Sequence, residues 1–141
     1  MPNIRSFKQL RVWQNAMDLA TRVFELTKKF PAEERYSLTD QFRRASRSVA
    51  SNTAEAWRKR RYPAAFVAKL NDAEGEAAET QTWVEFSRRC RYLEPEDADK
   101  LDESCEEVLA QLVTMINRPG DWAIRQAATP RVGAARRQHN A

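Results

Sequence analysis

Apolar side chains recur along this chain at steps of three and four residues, which is the spacing of one face of an α-helix. The clearest example continues over six positions: Ala98, Leu101, Cys105, Val108, Leu112 and Met115. Three further stretches show the same spacing, and only three glycines are present to interrupt them. Long amphipathic helices are therefore expected, and their apolar faces need a shared core.

Prolines and short polar segments divide the chain into four such helices. We predict that the Ser37 side chain caps the second helix and that Pro63 occupies the first turn of the third. Pro31 and the segment around Pro119 end the first and fourth helices. The predicted helices span residues 7–30, 37–61, 63–92 and 94–117.

Each of the first three helices also has a predicted inward stripe. Short links between four amphipathic helices favour an all-α, antiparallel up-down-up-down four-helix bundle, here over residues 1–118. The periodicity stops after that point, so residues 119–141 are expected to form a basic, flexible tail. The predicted inward residues are Leu10, Trp13, Met17, Ala20 and Phe24 in the first helix, with Ala16, Val23 and Phe30 alongside, Leu38, Phe42, Ala45, Val49, Asn52 and Ala56 in the second, and Phe66, Leu70, Ala73, Ala77, Thr80 and Val84 in the third.

Charge is segregated along the chain. The net charge of +4 resides in residues 118–141, because residues 1–117 contain 19 basic and 19 acidic residues. Residues 37–61 hold seven basic and two acidic residues, whereas residues 94–117 hold one basic and eight acidic. Three interpretations remain open: an ordinary solvated surface, basic and acidic faces that meet between subunits, or a nucleic-acid-binding face. The nucleic-acid-binding candidates are the basic tail together with Arg43, Arg47, Arg58, Lys59, Arg60 and Arg61.

Residue types that commonly carry catalysis are scarce. The single histidine, His139, lies two positions from the C-terminal residue, and Cys90 and Cys105 lack the spacing of a zinc or redox motif. No glycine-rich phosphate loop is present. We therefore expect no enzymatic activity, metal or cofactor. Without a signal sequence or a membrane-length apolar run, the expected location is the cytoplasm.

Several polar and aromatic positions are candidates for contacts between helices or subunits. Asn52 is expected close to the core, where it pairs with Glu79 or Arg44. The less favoured alternative is an acid–base site built from Glu55 and Glu79. Aromatic residues flanking the stripes are expected to be half exposed and to anchor a partner subunit, with base stacking as the alternative. The contact candidates are Arg44, Asn52, Glu55, Trp57, Glu79 and Trp83.

Several motifs together resemble those of small four-helix-bundle proteins encoded in intervening sequences of bacterial large-subunit (23S) rRNA genes. The resemblance covers roughly Phe7 to Asn117. The chain has Ala50 where the family often has proline, Ala56-Trp57 where a glycine is usual, and Glu76 in place of a small polar residue. The motifs are Phe7-Lys8-x-Leu10-x-Val12-Trp13-Gln14, Leu26-Thr27-x-x-Phe30-Pro31, Leu38-Thr39-x-Gln41-x-Arg43-Arg44-Ala45, Ser48-Val49-x-Ser51-Asn52-x-Ala54-Glu55, and Ala73-x-Gly75 with Glu79.

The resemblance implies a left-handed antiparallel bundle that assembles with copies of itself into a ring, usually of five subunits. It also implies kinship with accessory variability determinant proteins of diversity-generating retroelements. Those proteins serve reverse transcriptases and are thought to bind RNA, DNA or the transcriptase through basic surfaces. The partners expected from the resemblance are thus other copies of the chain, a nucleic acid or a reverse transcriptase, and no membrane.

Overall fold

The computed structural model describes residues 3–124, which form four long helices joined by short connections. Consecutive helices pack together and α1 closes the bundle against α4, while the backbones of α2 and α4 share no close approach in this part of the chain. The predicted all-α four-helix bundle is confirmed, with α2 and α4 at diagonally opposite corners. The helices are α1 (Arg11–Thr27), α2 (Leu38–Arg58), α3 (Pro63–Arg89) and α4 (Pro95–Asn117).

The core consists of two layers stacked along the bundle axis. One layer lies near the α2–α3 connection and contains Leu10, Trp57, Phe66 and Met115. The other lies near the α1–α2 and α3–α4 connections and is built around Phe42. Cys105 belongs to this second layer, and burial raises the pKa of its thiol to about 12, which keeps it protonated and unreactive. None of the helices in residues 3–124 is long and apolar enough to cross a membrane.

The inward stripes of α3 and α4 match their predictions at every position. All six predicted residues are buried in each helix, and Ser87 extends the α3 stripe. In α2 the prediction is wrong at one position, because Thr53 is fully buried where Asn52 was expected to approach the core. The Thr53 hydroxyl donates a hydrogen bond to the carbonyl of Val49 at 2.8 Å. Its burial therefore leaves no unsatisfied hydroxyl donor in the core.

The first helix differs more from its prediction. A 3-10 turn at Phe7–Gln9 precedes α1, and extended backbone at Leu10 separates the two, so no single helix runs from residue 7 to residue 30. Of the predicted stripe of the first helix, Leu10 and Ala20 are buried, as are Ala16 and Val23 beside it, whereas Met17 is 41% exposed. Val12 and Leu19 are also buried, although the stripe did not include them. Trp13 and Phe24 are only partly buried. The buried face of α1 is therefore rotated away from the predicted stripe, and Met17 and Phe24 lie at the surface beside α2.

The start of α2 is capped by a different residue from the one predicted. Ser37 makes no capping hydrogen bond with its side chain, and the backbone N–H of Leu38 instead donates to Glu34 Oε1 at 3.3 Å. The other carboxylate oxygen of Glu34 accepts a hydrogen bond from the hydroxyl of Tyr92 at 2.9 Å. One carboxylate thus caps α2 and ties the α3–α4 connection to the α1–α2 connection.

A further 3-10 turn, Pro119–Asp121, follows α4. It brings Trp122 beside Leu10 and Met115, where the indole packs against the core. Contact with the bundle therefore continues past residue 118, the predicted domain boundary. The greater part of the predicted flexible tail, residues 125–141, lies outside the described residues.

Candidate interaction surfaces

The basic residues of the second helix form two groups rather than one continuous face. Arg43, Arg44 and Arg47 lie in the first half of α2, while Arg58 is its last residue and lies about 16 Å further along the axis at 1.5 Å per residue. Lys59, Arg60 and Arg61 were predicted to continue the helix but fall in the connection to α3. Within residues 3–124, none of these seven cations forms a salt bridge; all the salt bridges there involve other basic residues, which are Arg22, Lys28, Lys69, Arg88, Arg89 and Lys100.

The first basic group surrounds an aromatic ring of α1. The guanidinium carbon of Arg43 lies 4.8 Å from the centroid of the Phe24 ring, and that of Arg47 lies 5.7 Å away. Lys28 Nζ approaches the same ring to 4.8 Å. The Nε of Arg43 also donates to Thr27 Oγ1 at 2.7 Å, so Arg43 joins α2 to the end of α1. Arg47 is exposed and remains available to an external carboxylate or phosphate.

The second basic group contains a buried tryptophan. Trp57 was expected to be half exposed and to anchor a partner subunit, but it is only 3% exposed, and this prediction is wrong. The guanidinium of Arg60 stacks on its ring, 3.4 Å from the centroid, and Arg60 Nε donates to the Trp57 carbonyl at 2.7 Å. Burial, together with the charge of Arg58, lowers the pKa of Arg60. Arg60 is thus committed to covering Trp57, while Arg58, Lys59 and Arg61 are exposed.

The acidic surface lies on α4, at the opposite corner from α2. Some of its carboxylates are engaged within the chain: Asp99 pairs with Arg88 at 3.0 Å, and Asp97 with Arg22 at 3.4 Å. Others have no cationic partner in residues 3–124. Among the described residues, Glu106 accepts a hydrogen bond only from the amide of Gln81. Glu103 and Glu107 border an open groove between α1 and α4.

A polar cleft of about 510 Å³ lies between α2 and α3, and six side chains or backbones line it: Asn52, Asn71, Asp72, Gly75, Glu76 and Glu79. Within the described residues Asn52 does not pair with Glu79 or Arg44 of the same copy, because its amide donates to the carbonyl of Ser48 at 2.9 Å. A pairing of these residues between subunits stays a prediction. Burial raises the pKa of Glu76, and the nearby charges of Glu79 and Asp72 raise it further. The cleft thus concentrates negative charge on one wall.

Glu55 lies outside that cleft. Its carboxylate forms an ion pair with Lys69, with 3.1 Å between Glu55 Oε1 and Lys69 Nζ. The same Nζ lies 3.6 Å from Asp72 Oδ2. These contacts, with the Glu55 hydrogen bond first, raise the pKa of Lys69. Glu55 is therefore placed as a contact between α2 and α3, and the structure does not bring it into one constellation with Glu79.

Phe86 is an exposed aromatic residue of α3 that was not among the contact candidates predicted from the sequence. Trp83 is partly buried, and its ring centroid lies 5.8 Å from that of Phe86, which is 51% exposed. The indole N–H of Trp83 is buried without a hydrogen-bond partner among the described residues. Phe86 does not belong to the apolar stripe of α3, and this position in the sequence indicates an exposed side chain.

The comparison with known families decides the relationship of the chain. The sequence profile of the 23S rRNA-intervening sequence protein family matches residues 8–114. The chain belongs to this family. The match confirms the resemblance carried by the motifs between Phe7 and Asn117, while kinship with retroelement proteins stays a prediction.

A solved structure agrees with this assignment. A protein of unknown function from the S23 ribosomal protein family of Bacteroides thetaiotaomicron is 28% identical to this chain, with a TM-score of 0.68. The alignment covers 75% of this chain and 95% of that one. A search of curated proteins returned no match. The family is thus established, and its members' biochemical role is not given by these relatives.

Proposed function

We propose that this protein is a non-enzymatic, homo-oligomeric scaffold or binding module of the cytoplasm, assembled as a ring of five subunits. The observation that carries the proposal is the separation of unneutralised charge. Arg47 on α2 and Glu103 and Glu107 on α4 are exposed, have no ionic partner within residues 3–124, and lie on helices at opposite corners.

Complementary charge on two different surfaces of one molecule favours head-to-tail association. Contacts between unlike patches build closed rings or open filaments, whereas a two-fold dimer uses one patch twice. Single exposed ion pairs contribute only about 0–1 kcal/mol, so the charges set partner and orientation. Exposed apolar side chains such as Met17 and Val113 supply area for burial, at about 25 cal/mol per Å². The ring and the number five rest on the family resemblance.

Engagement of several reactive side chains supports a role without catalysis. The Glu55 carboxylate is paired with Lys69, and the Tyr92 hydroxyl is bound to Glu34. The thiol of Cys105 is buried among apolar residues. A general acid or nucleophile must instead be within reach of a substrate.

The decisive experiment measures the mass of the native protein by light scattering at micromolar concentration and ordinary salt. We expect about five times the chain mass of 16.3 kDa. Dissociation should become easier as salt is raised, because screening weakens charge contacts between subunits. A monomer under these conditions would refute the scaffold proposal.

A nucleic-acid-binding accessory role is the second candidate, and the α2–α3 connection is what favours it. Arg58, Lys59 and Arg61 are exposed there beside the exposed Tyr62, without an ion pair among the described residues. Such a cluster fits the phosphate backbone of RNA or DNA. The expected result is binding at about 50 mM salt that falls steeply as salt rises.

Two variants separate the possible contributions to nucleic-acid binding. Replacing Arg58, Lys59 and Arg61 with glutamine should abolish binding by the bundle, whereas truncation after Ile124 tests the remaining basic residues and spares the packed Trp122. Lys29→Gln is a matched control, because Lys29 is exposed and lies at the other end of the bundle. Absence of binding at low salt, or binding that survives both changes, would exclude this role.

A further inference from the structure

Met17, Ala20 and Phe24, which belong to the predicted stripe of α1, form a groove with α2, referred to below as the α1–α2 groove. Its volume is about 210 Å³. Ala20 and Ala50 form a floor of small side chains, and Met17, Phe24 and Arg47 rise around it. Small residues in a groove between helices allow the backbone of another helix to approach closely. The groove is therefore shaped for a helix rather than for a compact ligand.

The two ends of this groove differ in chemistry. Phe24 lies at one end with the guanidinium groups of Arg43 and Arg47 against its ring. Met17, Ala20 and Ala50 lie toward the other end, which holds no charged lining residue. The groove thus has a cationic end and an apolar end. Along α2 from its N-terminus, the cationic end precedes the apolar end.

The outward surface of α4 has the same order of chemistry along its length. Glu103, Glu106 and Glu107 come first, and Ala110, Val113 and Thr114 follow one to two turns later, all of them exposed. At 3.6 residues per turn these six residues share the face opposite the buried stripe. This surface, the outer stripe of α4, therefore has an acidic first half and a weakly polar second half.

We propose that the outer stripe of α4 in one copy of the chain packs into the α1–α2 groove of a second copy, with α4 running parallel to α2. The proposal rests on the proposed homo-oligomeric function and specifies its interface. Charge complementarity identifies the occupant, since the groove presents arginines without ionic partners in residues 3–124 and the outer stripe presents glutamates in the same condition. The occupant belongs to another copy because α2 and α4 lie at opposite corners of one bundle.

The spacing of the residues determines the direction and register. Seven residues separate Arg43 from Ala50 on α2, and seven separate Glu103 from Ala110 on α4, so both pairs span about 10 Å. Parallel alignment places Glu103 beside Arg43, Glu107 beside Arg47, and Ala110 on Ala50. The reverse direction would place Glu103 at the apolar end, where a buried carboxylate has no cation to compensate its desolvation.

Charge reversal tests the pairing. Arg47→Glu and Glu107→Arg should each weaken self-association by roughly tenfold or more, because each places like charges together at the interface. The double variant should recover most of the association. Lys29→Glu is the matched control, an exposed reversal outside the groove that should leave the oligomer intact, and circular dichroism confirms that each variant is folded.

The outcomes distinguish this inference from the function on which it rests. A wild-type monomer would overturn both. A wild-type oligomer whose mass is unchanged by both single reversals would overturn the α4–groove contact alone and leave the scaffold proposal standing. Two weakened single variants without recovery in the double variant would likewise refute the pairing of Arg47 with Glu107.

Cross-linking tests the direction. In a Cys90→Ser background, which removes the exposed native thiol, a short bismaleimide should join Ala54→Cys to Thr114→Cys between copies. Ala54→Cys with Glu103→Cys should fail, since the parallel register separates those residues by about 16 Å along the axis. Efficient linkage of the second pair, with none of the first, would show that α4 runs the other way.

Discussion

The α3–α4 side and the α1–α2 side of the bundle differ in how their charged groups are satisfied. On the α3–α4 side, Arg88 pairs with Asp99 and Gln81 donates to both Asp102 and Glu106, at distances of 2.7–3.2 Å. On the α1–α2 side, the arginines contact an aromatic ring and a hydroxyl, and no carboxylate of residues 3–124 bridges to them. Both surfaces are polar, but within residues 3–124 only the first has a salt bridge between its two helices.

The difference shows which charged side chains are paired, and a count of charges along the sequence does not show this. An arginine on an aromatic face keeps its full charge and most of its donors free, whereas an arginine in an ion pair has used them. The α1–α2 side therefore retains the capacity to recognise an anionic surface, and the α3–α4 side resembles an ordinary solvated surface. Predictions that change each side separately test this assignment.

The largest expected effect concerns the core that both sides share. Phe42 is completely buried, so Phe42→Ala should lower the free energy of unfolding by about 3–5 kcal/mol through the lost burial and the cavity left behind. Urea denaturation at one fixed protein concentration measures it. Phe86→Ala is the control, since that half-exposed ring should cost under about 1 kcal/mol. Equal losses for the two variants would mean that the two aromatic residues are buried alike.

The next effect concerns the contact that holds the α1–α2 side together. Thr27 is buried and its hydroxyl accepts from Arg43 while donating to the carbonyl of Val23. Thr27→Val keeps the shape but leaves the half-buried Arg43 Nε without its acceptor, which should cost about 1–2 kcal/mol. Thr82→Val is the control, an exposed threonine whose hydroxyl donates to the carbonyl of Ala78. A loss no larger than that of the control would show that Arg43 finds an equivalent partner.

A smaller effect separates the two sides directly. Arg88→Ala should lower the free energy of unfolding by about 0.5–1 kcal/mol, with less effect at high salt, because it breaks the ion pair with Asp99. Arg47→Ala should change that free energy by less than about 0.5 kcal/mol and instead weaken self-association. Denaturation and native mass are measured on both variants. The contrast between the sides fails if Arg88→Ala is the variant that dissociates the oligomer.

How much was predictable from the sequence depends on how many apolar stripes each helix carries. The buried face of α4 was predicted at all six positions because one heptad pattern stands out against charged neighbours. In α1 two apolar stripes overlap, and periodicity cannot tell which one faces the core. Packing against the neighbouring helices determines which stripe is buried. Val12 and Leu19 lie in the core, whereas Met17 is exposed.

Candidate interaction residues were harder to place, because contacts distant in sequence decide their exposure. Trp57 flanks its stripe, yet the α2–α3 connection folds Arg60 over its ring. Asn52 prefers a carbonyl one turn back on its own helix to a partner on α3. The charge segregation was readable from the sequence, whereas the absence of intramolecular salt bridges to the α2 arginines in residues 3–124 required the fold.

The smallest expected effect comes from the Glu34–Tyr92 contact, whose partners are 58 residues apart. The hydrogen bond to the Glu34 carboxylate raises the pKa of Tyr92 to about 12, above its ordinary value of 10.0. A pKa raised in the folded state means that the stabilisation is complete below about pH 10 and is lost as pH rises through about 12. Between these values wild type should lose more stability than Tyr92→Phe, which cannot ionise there. Urea midpoints for both proteins at neutral pH and near pH 11 measure the difference, and parallel declines would show that Tyr92 ionises without regard to Glu34.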